Sequence, residues 1–240
     1  MSVPVAPDGA PDLAIRAQVR RRRRRNRLIV AGIGATILAV LVWLVGWSTA
    51  FAVRTILVRG TVLTSQAEVV EAAEVPVGTP LAQLDTDAIA HRVESLPAVA
   101  RVRVTRSWPH SVVIAVTERT LVYQRADAQG YQWIDSAGIV FHTTAQRQQV
   151  PLANLPSTDD RSLLADVATV VSHLPADVRA RVQSIQASSR NNILIVLDRD
   201  QSVFWGSADE SGQKAALLPV LLAQPGHAID LSSPSAPAIK

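Results

Sequence analysis

Hydrophobic and polar positions divide this chain into three zones. No charged residue occurs between Leu28 and Val53, LIVAGIGATILAVLVWLVGWSTAFAV. About 20 apolar residues cross a bilayer, so the pattern predicts a transmembrane helix over 28–52. Trp43 and Trp47 fall near its far end, where amphipathic rings favour the interface. The second zone, 53–120, mixes periods. Val53–Val58 is an apolar strand ended by Arg59-Gly60. Ser65 and Glu68 have capping-box spacing, opening a helix with Val69, Val70 and Ala73 on its apolar stripe. Pro76-Val77-Gly78 ends that helix. Asp85 caps a second, with Ile89, Val93 and Leu96 on one face and Pro97 as its stop. Val102 and Val104 then alternate with Arg101, Arg103 and Thr105, and Val112, Ile114 and Val116 alternate beyond a Trp-Pro. Period two on both sides of a short break signals a hairpin. The order is strand, helix, helix, strand, strand.

The third zone, 121–233, is strand-rich. Strands are predicted at Leu121–Arg125, twice within Tyr131–Phe141 around the turn Asp135-Ser136-Ala137-Gly138, and at Val182–Ala187, Asn192–Leu197 and Gln201–Trp205. Leu163, Leu164, Val167, Val170, Val171 and Leu174 have helical spacing before Pro175. A last helix over about Ser211–Leu222 contains Pro219, which should kink it or shift its start. His227–Leu231 reads as the last strand, and 234–240 as a loose tail. The fold class expected is α+β behind one membrane helix.

Charge separates the zones further. Residues 1–27 carry Arg16, Arg20, Arg21, Arg22, Arg23, Arg24, Arg25 and Arg27 against Asp8 and Asp12, a net +6, so the whole-chain +4 leaves −2 for the rest. A nucleic-acid-binding domain should carry its basic patch on folded structure, so none is expected. Arg20–Arg25 and Arg27 instead read as a topology anchor: the positive-inside rule puts the N-terminus in the cytoplasm and residues after about 53 outside. The Pro/Ala-rich, period-free start makes 1–27 a disordered cytoplasmic tail. Ala50-Phe51-Ala52 has the form of a signal-cleavage site, but the apolar run exceeds the about 7–15 residues of a signal core and follows a 27-residue leader. A retained anchor is expected. The 22 arginines against two lysines point to a GC-rich bacterial genome.

Candidate chemistry is thin. Without cysteine there is no disulfide, zinc-thiolate site or thiol nucleophile in this chain. No phosphate-binding glycine motif occurs, and the histidines are scattered outside any metal-binding spacing. Ser107, His110 and Ser111 sit close enough to raise a hydrolase, but a nucleophile needs an oriented base, and the flanking alternation makes them a hairpin turn. Asp159-Asp160 and Asp198/Asp200 read as solvated turns. No enzyme, cofactor, metal or small-molecule substrate is expected.

The β-α-α-β-β order of residues 53–120 resembles a POTRA domain. The wording VRTILVRGTVLTSQAEVV, VGTPLAQLDTDAI and LPAVARVRVTRSWPHSVVIAVTER resembles the FtsQ/DivIB family of bacterial cell-division proteins, actinobacterial in style, over nearly the whole chain. Arg106, Trp108, Pro109, Glu118 and Arg119 are the hairpin signature; Gly206, Lys214 and HAIDLSSPSAP resemble the family's C-terminal pattern. The resemblance implies a single-pass type II scaffold of the plasma membrane at the septum. It would bind FtsB and FtsL and act through them on the septal peptidoglycan synthase pair FtsW/FtsI. In that family FtsB adds a strand to the terminal edge strand. The matching positions are His227–Ser233, with Ile229, Leu231, Ser233 and Lys214 as partner-binding residues. Alternation alone leaves open whether Ala228, Asp230 and Ser232 or Ile229, Leu231 and Ser233 face the partner. The competing classes are an anchored extracytoplasmic enzyme or solute-binding domain, which should show a concave polar pocket, and a POTRA chaperone or transport protein, which should show tandem repeats or a long barrel-like strand series.

Overall fold

In the computed structural model the described residues are 11–156 and 160–239, with side chains from residue 26 onward. Helix α1 runs Pro11–Trp47, and its stretch Asn26–Trp47 is long and apolar enough to cross a membrane. Two expectations are corrected here. Of the tail expected to be disordered, 1–10 lies outside the described residues and 11–27 is helical: Pro11 occupies the first helical position, where its missing N–H costs nothing, and Ala, Leu, Gln and Arg are good helix formers. The helix also stops at Trp47, five residues before the predicted boundary. Ser48 follows, its hydroxyl accepting from the Ala50 amide, and Thr49–Phe51 form a 3-10 turn.

Strands β1 (Thr55–Arg59), β2 (Val99–Ser107) and β3 (Ser111–Glu118) form a sheet of order β1-β3-β2. The chain forms two compact units. The first holds α1 through Leu57, Val75–Thr86 and Val104–Val113. There, Val53 and Thr79 are joined by the Val53 amide to the Thr79 carbonyl, and the Gly78 amide returns to the Val53 carbonyl. The amides of Arg54 and Thr55 both donate to the His110 carbonyl. Ala52, Val53, Leu81, Leu84 and Val112 are buried. Leu81–Gln83 form a 3-10 turn that three residues, too few to show a period, do not announce in the sequence.

The second unit holds the rest. Helix α2 (Gln66–Ala73) opens with the expected capping box: Ser65 Oγ accepts from the Glu68 amide and the Glu68 carboxylate from the Ser65 amide. Helix α3 (Thr86–Glu94) buries Ile89 and Val93 as its spacing predicts. Gly60 lies against the Val116 carbonyl, just as Arg54 lies against the His110 carbonyl six residues earlier in both segments. β1 and β3 therefore run parallel, a pairing that needs the long crossover that α2, α3 and β2 supply.

The same unit contains a nine-stranded sheet of order β12-β11-β10-β9-β8-β7-β4-β5-β6. Its strands are β4 (Tyr123–Asp127), β5 (Gly130–Ile134), β6 (Val140–Thr144), β7 (Leu152–Asn154), β8 (Val182–Ser189), β9 (Asn192–Leu197), β10 (Ser202–Gly206), β11 (Ala228–Asp230) and β12 (Ala238–Ile239). Helices α4 (Arg161–His173) and α6 (Ser211–Leu222) share its core with Tyr123, Ile134, Ile185, Ile195, Val203 and Trp205. The short helix α5 (Ala176–Ala180) follows Pro175. Asp160 caps α4, its Oδ1 accepting from the Ser162 and Leu163 amides; its neighbour Asp159 lies outside the described residues. Helix α6 keeps its expected bounds with Pro219 inside. The Asp198-Arg199-Asp200 link is a tight turn, with Arg199 and Asp200 both at positive φ.

Candidate partner-binding edge of the C-terminal sheet

The end of the large sheet is built from segments far apart in sequence. β10 pairs antiparallel with β9 and parallel with β11, Val203 opposite Ile229 and Phe204 opposite Asp230. The Ser202 amide donates to the His227 carbonyl and the Leu231 amide to the Phe204 carbonyl, both at 2.8 Å. Gly206 closes β10 at φ +74, and a Cβ there would sit 2.9 Å from Ser232 Cβ. Only glycine brings the end of β10 so close to the exit of β11.

β11 is not the last strand. Asp230 Oδ1 accepts from the Ser232 amide at 3.0 Å and from its hydroxyl at 2.7 Å, which ends the strand. The Ala236 amide then donates to the Ser233 carbonyl, and β12 returns antiparallel with Ile239 opposite Ile229 and Ala238 opposite Asp230. This corrects two expectations. The terminal strand is β12 instead of His227–Leu231, and residues 238–239 are paired instead of loose. Two residues are too few for an alternation signal, while the Ser/Pro cluster before them reads as loop.

The predicted partner residues redistribute accordingly. Ile229 and Leu231 point into the core, Leu231 with no exposed surface. They hold the edge from behind, and the competing face of Ala228, Asp230 and Ser232 is the more accessible one. Ser233 is exposed in the turn before β12, its Oγ 3.0 Å from Ser235 Oγ. Lys214 is 1% exposed, and its Nζ donates to the Trp205 carbonyl at 3.0 Å and the Ser207 carbonyl at 2.9 Å. Burial pushes its ammonium below the usual lysine range, against the pull of Asp209 and Glu210. Beside it, Trp205 Nε1 donates to Ser211 Oγ, which donates to the Ala208 carbonyl. Lys214 therefore braces the β10–α6 connection from inside. A buried lysine serving two carbonyls has no signature in sequence; only its place in an apolar helix hinted at it.

The hairpin signature is structural too. β2 ends at Ser107 and β3 begins at Ser111, joined through a cis Trp108–Pro109 bond. His110 Nδ1 is buried without a hydrogen-bond partner among the described residues, so neither serine engages that nitrogen. Arg106 Nη2 donates to the Leu84 carbonyl, and Trp108 packs edge-to-face on Phe51, ring centroids 5.6 Å apart. Arg119 Nη1 pairs with Asp135 Oδ2 at 2.6 Å and its Nε donates to the Pro97 carbonyl. Of the arginines expected to anchor the topology, Arg27 is exposed, and the side chains of Arg20–Arg25 lie outside the described residues.

Glu118 receives the amides of Leu63 and Thr64 at 2.8–3.0 Å. Partial burial pushes its carboxyl up, but those amides and that of Val62 outweigh it, leaving the net shift downward. Because the ionised form is favoured on folding, Glu118 stabilises the fold above the ordinary glutamate pKa of about 4.3, and that stabilisation disappears as pH falls through the lower folded value. Glu118→Gln should cost about 1 kcal/mol at pH 7 and flatten the acid limb of the stability curve, read by urea titration at pH 7 and pH 3. An acid limb as steep as the parent's contradicts the assignment.

Residues 51–119 match the POTRA domain of FtsQ type, and residues 122–232 match the C-terminal domain of cell division protein FtsQ/DivIB. The cell division protein FtsQ of Streptomyces bingchenggensis is 34% identical, with 91% of this chain and 88% of the relative covered. That of Streptomyces venezuelae is 36% identical over 96% of this chain and 91% of the relative. That of Mycolicibacterium smegmatis is 32% identical, covering 96% and 76%. Both domain types follow one another behind the apolar helix α1, and relatives align along most of their length: the chain belongs to the FtsQ/DivIB family of bacterial cell division proteins.

Proposed function

We propose that this chain is a non-enzymatic scaffold of the division machinery, single-pass in the plasma membrane at the septum. Its arginine-rich end is cytoplasmic and its POTRA and β domains lie outside. It binds FtsB and FtsL and regulates septal peptidoglycan synthesis by FtsW/FtsI through them. The observation that carries this reading is the edge of β12. No further strand pairs with it among the described residues, and an unpaired strand edge is a template for a partner strand. The family's edge-strand mode is therefore assigned to Ala238–Ile239, one strand outward of His227–Ser233. Two residues offer few ladder bonds, so side-chain contacts on the accessible face, with Asp230, Ser232 and Ser233, supply the remainder.

Full-length chain purified from dividing cells should carry FtsB and FtsL with it, and a fluorescent fusion should band at the septum. The Ala238→Pro/Ile239→Pro double variant lacks both β12 amide donors and should lose at least about tenfold in FtsB recovery. Recovery equal to the parent's contradicts strand addition at this edge, and a uniform envelope signal contradicts the divisome role.

A further inference from the structure

The first unit brings two outer segments down onto the end of the membrane helix. Gln83 Nε2 donates to the Gly46 carbonyl at 2.8 Å, one residue before α1 ends. Between them lies a groove of about 500 Å³, with Leu41, Val42, Val45 and Gly46 on one wall and Ala82 and Gln83 on the other. Beside the helix exit, Trp108 leaves 49% of its surface exposed while its ring forms a T-shaped pair with Phe51, four residues past Trp47. Trp43 and Trp47 are themselves exposed.

The length of the span fixes the depth of this groove. At about 1.5 Å per residue, Leu28–Trp47 measures about 30 Å, just the thickness of the hydrocarbon layer. If Leu41–Trp47 stood clear of lipid, only about 20 Å of apolar helix would remain, too little to cross. The groove wall is therefore at lipid depth, and so are the residues fastened against it. The geometry points to an interfacial foot: the Leu81–Gln83 turn and the Trp108 hairpin tip sit in the outer-leaflet interface, and phospholipid, at its glycerol and upper acyl region, fills the groove. This inference rests on Asn26–Trp47 spanning the membrane. Continuity of the groove with the span selects lipid as the occupant, and an indole at the interface suits Trp108.

The chain has no cysteine, so single nitroxide labels can be placed at Ala82→Cys, at Val42→Cys within the span, and at Val62→Cys, which is 91% exposed in the second unit. The full chain is reconstituted into phosphatidylcholine/phosphatidylglycerol vesicles, and collision rates with oxygen and with a soluble nickel chelate are compared. Position 82 should give an oxygen-to-nickel ratio about tenfold above that at position 62, as lipid depth demands. A ratio at 82 equal to that at 62, with 42 still lipid-like, overturns the foot while leaving the span intact. Water-like values at 42 overturn the span and the foot together. Protection at 82 only when FtsB and FtsL are co-reconstituted assigns the groove to a partner helix and overturns lipid as its occupant. In the unlabelled chain, phospholipid brominated near the glycerol should quench the fluorescence that Trp108→Phe removes; an unquenched Trp108 component overturns the placement of the hairpin tip.

Discussion

Gly138→Ala is expected to be strongly damaging, lowering stability by about 3 kcal/mol or more. Gly138 sits at φ +71 in the turn after β5. An added Cβ would meet the Ala165 amide nitrogen, lie 2.7 Å from the Arg161 carbonyl oxygen and 2.9 Å from Ala165 Cα. These are backbone atoms of the first turns of α4, so no side chain can swing aside. The same turn is held by Asp135, whose Oδ1 accepts from the Ala137 and Ile139 amides while Oδ2 holds Arg119. Displacing the turn or the helix therefore strains the Asp135 contacts as well. Urea titration of the detergent-solubilised chain, followed by tryptophan fluorescence, measures the loss. A change below about 1 kcal/mol, the size of an ordinary surface substitution, contradicts the close approach.

Lys214→Met is the second large effect expected. Methionine keeps the unbranched stem but removes both charge-assisted bonds to the Trp205 and Ser207 carbonyls. A buried acceptor left unmade costs about 1–3 kcal/mol, so the pair should cost about 3 kcal/mol. Arginine should not rescue it, since a planar fork does not fit where a compact ammonium serves two converging carbonyls. The consequence for partner binding is specific. As an internal brace, Lys214 should influence FtsB binding only through folding. Below its melting transition the variant should bind FtsB with near-parental affinity. Tenfold weaker binding by a fully folded variant would return Lys214 to the partner surface.

Local regularity decided what the sequence disclosed. The Ser65/Glu68 box, the alternation on both sides of Trp108-Pro109, and the stripe from Leu163 to Leu174 each specify an element through neighbouring residues, and each formed where expected. β7, α5, β12 and the Leu81–Gln83 turn have two to five residues and exist because distant segments pair with or pack on them. No local period announces such elements. The partner edge shows the same division. HAIDLS was readable as a strand. Which strand ends the sheet depends on whether the chain turns back after Ser233, and the Asp230–Ser232 and Ser233–Ala236 hydrogen bonds that turn it are ordinary loop chemistry. Alternation left the face of β11 open; burial of Ile229 and Leu231 closes that question in favour of the core.

Backbone amide exchange at β12 tests the scaffold proposal most directly. With the full-length chain in nanodiscs, the peptide containing Ala238 and Ile239 should exchange at least about tenfold more slowly once FtsB and FtsL are added, because strand addition places amides at the edge in ladder hydrogen bonds. The opposite end of the sheet, β6, should remain unchanged. Unaltered exchange at 238–239 in a complex that demonstrably forms, or protection confined to β6, would contradict partner binding at this edge.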